Sequence, residues 1–199
     1  MAPRWIEVDH VAVRLYHLTD ADKCYFAREY VSRGGYTASA TNQLILNFKK
    51  PRDRRHLPEY KYKALAITQF ATELADFLPR NTNVAAMPTS KCRIDVDYDD
   101  RLIQTLTEVV SRRTDITCVD LLTIKRSLDP AHSGGPRGPA ILHENLEWIG
   151  PTGPLPSIML VDDVLGSGGH FSACKQVVLE HWPQCHVMGA FWARAVDVP

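Results

Sequence analysis

From Leu65 to the end of the chain, stretches with helical spacing alternate with short, almost unbroken apolar stretches, and that alternation constrains the fold more than any other feature. Leu65, Ile67, Phe70, Leu74, Phe77 and Leu78 predict a helix over Glu59 to Leu78, stopped by Pro79. Asn83 to Met87 reads as a buried strand that ends at Pro88. In RLIQTLTEVVSR, Leu102, Ile103, Leu106, Val109 and Val110 share one helical face. Asp115 to Ile124 is β-branched and apolar and predicts a strand. Strands are also expected at Ser157 to Val161 and His186 to Val196, with a helix between them that turns Phe171, Cys174, Val177, Val178 and His181 inward. Strands of near-continuous apolar character are covered on both faces. The expected class is therefore α/β, a mainly parallel sheet with flanking helices. Its neighbouring strands should be Asn83–Met87, Cys118–Ile124, Ser157–Val161 and His186–Phe191.

The 199 residues suffice for one sizeable domain with a small appendage. Residues 1–58 are irregular in pattern and read as a small N-terminal hood or lead-in; residues 59–199 hold the α/β pattern, and the two are expected to form one compact unit. Hydrophobic residues at 45% and charged residues at 23% fit a soluble globular protein. Lys plus Arg and Asp plus Glu are 23 each, which argues against a whole-protein polyanion binder. The basic run KKPRDRRH lacks interleaved aromatics, so it reads as a solvated loop and nucleic acid is not expected. No apolar run reaches the roughly 18 residues of a membrane span, and MAPRWIEVDH lacks a signal-peptide core. Five dispersed cysteines without a CxxC pair read as reduced thiols, which points to the cytoplasm. The run DVDYDD resembles the start of a calcium loop, but Asp100 replaces its glycine and Leu106 its terminal acid; Asp99 or Asp100 is expected to cap the next helix.

Two of the strands run into unusual chemistry at their carboxyl ends, where open α/β sheets bind ligands. Met87 leads into PTSK, and IMLV leads into DDVLGSGGHF. Gly166, Gly168 and Gly169 let backbone N–H groups converge ahead of a helix N-terminus, an arrangement sized for a phosphate. No Gly-Lys-Ser/Thr follows, so this is not a P-loop, and Phe171 stands where GxGxxG needs its last glycine. Asp162 and Asp163 just ahead of the turn would repel a phosphate directly, but suit hydroxyls or a metal's waters a few ångströms away. A sugar phosphate has that shape.

The stretch VDDVLGSGGHF resembles the signature of type I phosphoribosyltransferases, which bind phosphoribosyl pyrophosphate (PRPP) with magnesium. YTASATNQLILNFKK, NVAAMPTSK, DLLTIKRS, HENLEW and VMGAFWARAV are similar in order and spacing to segments of the ComF-like branch, from about Tyr36 to Val196. The resemblance implies that Asp162 and Asp163 hold the ribose hydroxyls and that Gly166, Ser167, Gly168, Gly169 and His170 cradle the 5′-phosphate. It further implies that Thr89, Ser90 and Lys91 meet the pyrophosphate, with Lys91 and Arg126 stabilising the leaving charge. Mg2+ would be bound through substrate and water. Ser133 to Gly138, with Arg137, would form a lid. Gly166 and His170 stand where the family has threonines, and the cysteine-rich zinc segment of typical ComF proteins is missing. His170 offers an N–H in place of a hydroxyl. The function implied is binding of PRPP or a nucleotide at a sugar-phosphate site, with transfer of a phosphoribosyl group and release of pyrophosphate. A non-catalytic sensor that regulates a partner protein and a PRPP or nucleotide hydrolase stay open beside it, as does a homodimer.

Overall fold

The computed structural model describes residues 3–9, 16–129 and 138–197. Its central sheet has six strands, numbered along the chain, in the order β1 (Ile6–Glu7), β2 (Lys23–Val31), β8 (His186–Val196), β7 (Ser157–Leu165), β3 (Asn83–Ala86) and β4 (Thr117–Cys118). Only the β1–β2 pairing is antiparallel. Helices α1 (Ala40–Phe48), α2 (Lys61–Phe77) and α3 (Arg101–Arg112) cover one face. On the other face lie α4 (Pro139–Asn145), α5 (Gly169–His181) and an antiparallel pair, β5 (Leu122–Ile124) with β6 (Leu146–Trp148). The α/β class with a mainly parallel sheet is the one that the alternation predicts.

The period of two along β7 sorts its side chains between two cores. Ile158 and Leu160 pack with Phe171, Cys174, Val178 and Phe191. Met159 and Val161 pack with Phe70, Leu106, Val109 and Trp192. Helix α3 buries Leu102, Leu106 and Val109 on one stripe, each worth roughly 1.5–3 kcal/mol when taken from water. Trp192 stacks on Phe70 at 4.9 Å, and its indole N–H donates to Glu73, so the one polar atom of that ring is satisfied in the core.

Several elements depart from the pattern, each for a physical reason. The stretch from Asp115 to Ile124 is not one strand. Exposed Asp120 pairs with Arg93, so the chain leaves the sheet after Cys118, and Leu122–Ile124 pairs with β6 instead. Residues 1–58 are not irregular throughout: β2 lies parallel to β8 from Lys23 to Val31. Its charged residues hide the apolar alternation, and Arg28 is met by the buried carboxylate of Glu73. Asn42 in α1 is fully buried, accepting from the Val31 N–H at 3.0 Å and donating to the Val31 and Gly35 carbonyls, which ties α1 to the end of β2. On α2, Leu65 is exposed and Lys63 is buried, its ammonium bound to the Phe48 and Lys50 carbonyls and to Asp99. His181 faces outward and stacks on Trp148 at 4.4 Å. Finally, β7 runs four residues beyond Val161, through both aspartates, because side chains from other elements supply partners for their carboxylates.

Candidate functional site

Because β3 and β7 are parallel neighbours, with the Met87 N–H donating to the Val161 carbonyl at 2.9 Å, their carboxyl ends open on the same edge. A cleft of about 710 Å³ lies there. Thr89, Ser90 and Lys91 line it from the turn after β3; Asp162, Asp163, Gly166, Ser167, Gly168, Gly169 and His170 line it from the end of β7 and the start of α5. The sheet thus brings together the two stretches that the sequence singles out, 89–91 and 162–170. Arg126 is not in the cleft wall. Its side chain is exposed, and Asn145 grips its backbone, accepting from the N–H at 3.2 Å and donating to the carbonyl at 2.8 Å. Of the expected lid, residues 133–137 lie outside the described residues.

The turn is held open by its own sequence. Gly168 has φ +85°, a conformation that side chains disfavour, and a Cβ there would stand 2.6 Å from Leu18 Cγ. The segment carrying Leu18 also donates the His17 N–H to the Ser167 carbonyl at 3.2 Å. That segment is fixed by Asp22, which accepts from the Thr19 N–H and hydroxyl and pairs with Lys175 of α5. By contrast, a Cβ at Gly166 would meet nothing within 4 Å. The first N–H groups of α5 have no intrahelical acceptor, and Gly169, His170 and Phe171 all line the cleft.

The paired aspartates point to opposite faces of the sheet. Asp163 is 4% exposed and takes the Lys49 ammonium at 2.8 Å on one oxygen and two guanidinium N–H groups of Arg101, at 2.7 and 3.1 Å, on the other. Arg101 also holds Asp99, which holds Lys63. Burial alone would raise the Asp163 pKa, but Lys49 and Arg101 outweigh it and the carboxyl sits well below its ordinary range. Burial likewise works against the charge on Arg101, and Asp163 and Asp99 overcome it. Asp162 is 13% exposed, accepts the Asp163 N–H at 2.7 Å on Oδ1 and stands 3.0 Å from His170 Nδ1 through Oδ2.

The sequence reading did not find Lys49, Arg101, Asp99 and Lys63 as parts of this region. One signal was available for Arg101. It occupies the first turn of α3, where the helix dipole disfavours a cation, so a buried carboxylate partner was called for. Of the two aspartates expected to cap α3, Asp100 holds the N-cap position but its carboxylate accepts from the Gln104 side-chain amide at 2.8 Å, whereas the Asp99 carboxylate accepts the backbone N–H of Arg101, the first residue of the helix, at 3.2 Å. On the opposite wall, the Thr89 hydroxyl is buried without a hydrogen-bond partner among the described residues. Six aspartates and three Lys or Arg side chains line the cleft, so its wall is acidic whether or not His170 is protonated. Among the described residues, no three His, Cys, Asp or Glu side chains are grouped to hold a metal ion.

No family model matches the chain, and no curated protein matches it. Among solved structures, a hypoxanthine phosphoribosyltransferase from Staphylococcus aureus is similar at 10% identity and a TM-score of 0.34, over 67% of this chain and 64% of that one. The aligned region therefore spans less than two thirds of that protein's length. Among the described residues, no helix is long and apolar enough to cross a membrane.

Proposed function

We propose that this chain binds a phosphorylated ribose, PRPP or a nucleotide, in the cleft beyond β3 and β7. With PRPP it transfers the phosphoribosyl group and releases pyrophosphate, on a fold of the type I phosphoribosyltransferase kind. The observation that carries this reading is the convergence of the 89–91 turn and the 162–170 turn on one cleft at the carboxyl ends of adjacent parallel strands. The turn from Gly166 to His170 takes the 5′-phosphate on backbone N–H groups. Asp162 takes the ribose hydroxyls; Asp163, which accepts three N–H groups from Lys49 and Arg101, acts as a support for the strand end. Thr89, with its unpartnered hydroxyl, Ser90 and Lys91 receive the pyrophosphate. Mg2+ would reach the site on the ligand's oxygens and water, and would supply neutralisation of the diphosphate.

The test is isothermal titration with PRPP and Mg2+, alongside an assay for pyrophosphate release. A hydrogen bond to a carboxylate is worth roughly 1.5–3 kcal/mol, so Asp162→Asn should weaken PRPP binding by about ten- to a hundredfold. Pyrophosphate alone, lacking the ribose, should bind the variant and the wild type alike. Absence of PRPP binding at millimolar concentration would end the reading.

A second reading, a non-catalytic PRPP or nucleotide sensor, is favoured by one observation. The turn lacks the hydroxyls that the family resemblance places at positions 166 and 170, and Asp163, though it lines the cleft, is tied up by Lys49 and Arg101. PRPP binding without pyrophosphate release, across a panel of nucleobases and amines as acceptors, would select it.

A further inference from the structure

The cleft wall is short of free positive charge for an anionic ligand. Of its Lys and Arg side chains among the described residues, Lys49 and Arg101 are bound to Asp163, which leaves Lys91. Opposite Lys91's turn, His170 lines the cleft with 35% of its side chain exposed, in the first turn of α5 beside the open turn at Gly166. Its ring is not free to swing. Nδ1 stands 3.0 Å from Asp162 Oδ2, and the other oxygen of that carboxylate is fixed by the Asp163 N–H. A carboxylate against one ring nitrogen sets the orientation of the imidazole and favours its protonated form.

On the reading that this cleft holds a phosphorylated sugar, we infer that His170 is the residue that supplies positive charge to the phosphate, so that binding of the phosphate ester is linked to a proton on His170. Where the resembling family places a threonine, a neutral donor indifferent to pH, this chain carries a cation whose charge can be removed. The groups facing the ring are Asp162 from β7 and Cys174 from the next turn of its own helix. Lys91, Asp53, Asp97, Asp99 and Asp129 also line the cleft, as does the ion-paired group of Asp163, Lys49 and Arg101; His17 meets the turn through its backbone. Burial works to neutralise His170, but Cys174 and Asp162 outweigh it, and its pKa stands well above the ordinary histidine value. The cation is therefore present at neutral pH and lost in alkali.

Ribose 5-phosphate is the probe, because its second ionisation lies near pH 6 and its charge is constant above about pH 7.5. Titrated between about pH 7.5 and pH 10, the wild type should lose affinity by about tenfold or more, the worth of one charge-assisted hydrogen bond. His170→Thr should bind the probe with an affinity that does not change over the same range. In the wild type, ring resonances of His170 should report a pKa that rises by about one unit when the probe is added, the same tenfold linkage seen from the proton's side. A flat wild-type profile, a slope that persists in His170→Thr, or a His170 pKa unmoved by the probe would each overturn the inference while leaving the sugar-phosphate site intact. If neither protein binds ribose 5-phosphate at millimolar concentration at any pH, the site reading itself falls and this inference with it.

Discussion

Asp163 leaves β7 toward α1 and α3 and enters a chain of ion pairs that runs through Arg101 and Asp99 to Lys63, with Lys49 closing its other side. Asp162, one residue earlier, leaves toward α5 and meets a single partly exposed histidine at the rim of the cleft. The backbone alternation of a strand makes this difference, since adjacent residues must face opposite sides of the sheet. Two carboxylates that look equivalent in the sequence are thus given different work. The first face is largely committed: the oxygens of Asp163 accept three charged N–H donors, most of what a carboxylate can accept. The second face keeps spare acceptor capacity on Asp162, an open Gly166 and the unpaired N–H groups of a helix start. Such a division lets one strand end be rigid and receptive at once. The buried network fixes β7 to α3 and to the segment after α1, and the open face can then offer its groups in a set geometry.

The sharpest way to break the comparison is to remove one partner on each face. Breaking a buried ion pair from one side leaves an uncompensated charge and costs about 3–5 kcal/mol. Arg101→Met should therefore lower stability by that amount, which for a chain of this size is roughly 6–20 °C in melting temperature. Asp162→Asn, on the rim, should cost about 1 kcal/mol or less while weakening ligand binding. Thermal and denaturant unfolding of the two variants measures both. Equal losses would mean that the two faces are one structural unit, and that the receptive face is not independent of the rigid one.

A smaller effect, opposite in sign on the two faces, follows from protonation. The Asp163 carboxyl is held below its ordinary range, so its stabilisation is fully present above about pH 4, the unfolded value, and is lost as pH falls toward the folded one. His170 is held above its ordinary value, so its contribution is present below about pH 6.5 and is lost as pH rises through the folded pKa. Wild-type stability should fall off at both ends of the pH range. Asp163→Asn should flatten the acid limb and His170→Asn the alkaline limb, read from denaturant midpoints across the range. A variant that flattens the wrong limb would show that its group is not the one titrating there.

The sheet was legible where burial leaves an unbroken apolar record. His186–Val196 and Arg101–Arg112 have the bounds that the residues predict, because every residue facing a core there is apolar or small. The strand Lys23–Val31 was illegible because Lys23, Arg28 and Glu29 break its record, and Arg28 finds its countercharge 45 residues away on α2. In the candidate site, the glycines and acids were legible as local chemistry, since turn, strand end and helix start are contiguous in sequence. The division of labour between Asp162 and Asp163 was not. It depends on Lys49 and Arg101, which lie 114 and 62 residues away and reach Asp163 only through the packing of α1 and α3. Local periodicity carries no record of such distant charge partners.

The mildest expected change sits on the receptive face. Gly166 is exposed, its φ is not in the left-handed region, and a Cβ there would touch nothing within 4 Å. Gly166→Thr should therefore leave stability within about 0.5 kcal/mol of wild type, as for a surface substitution away from any special feature. It also restricts the unfolded chain, which favours the variant slightly. If the turn binds a phosphate, the new hydroxyl adds one neutral donor at its edge, worth about 0.5–1.5 kcal/mol, or roughly two- to tenfold in affinity for ribose 5-phosphate. Because a hydroxyl does not titrate in this range, that gain should be the same at neutral and alkaline pH, and it should add to the contribution of His170. A gain that disappears when His170 is replaced would mean that position 166 acts by reorienting the imidazole. A loss of affinity would mean that the ligand approaches the bare backbone at Gly166, so closely that the glycine is itself a requirement of the site.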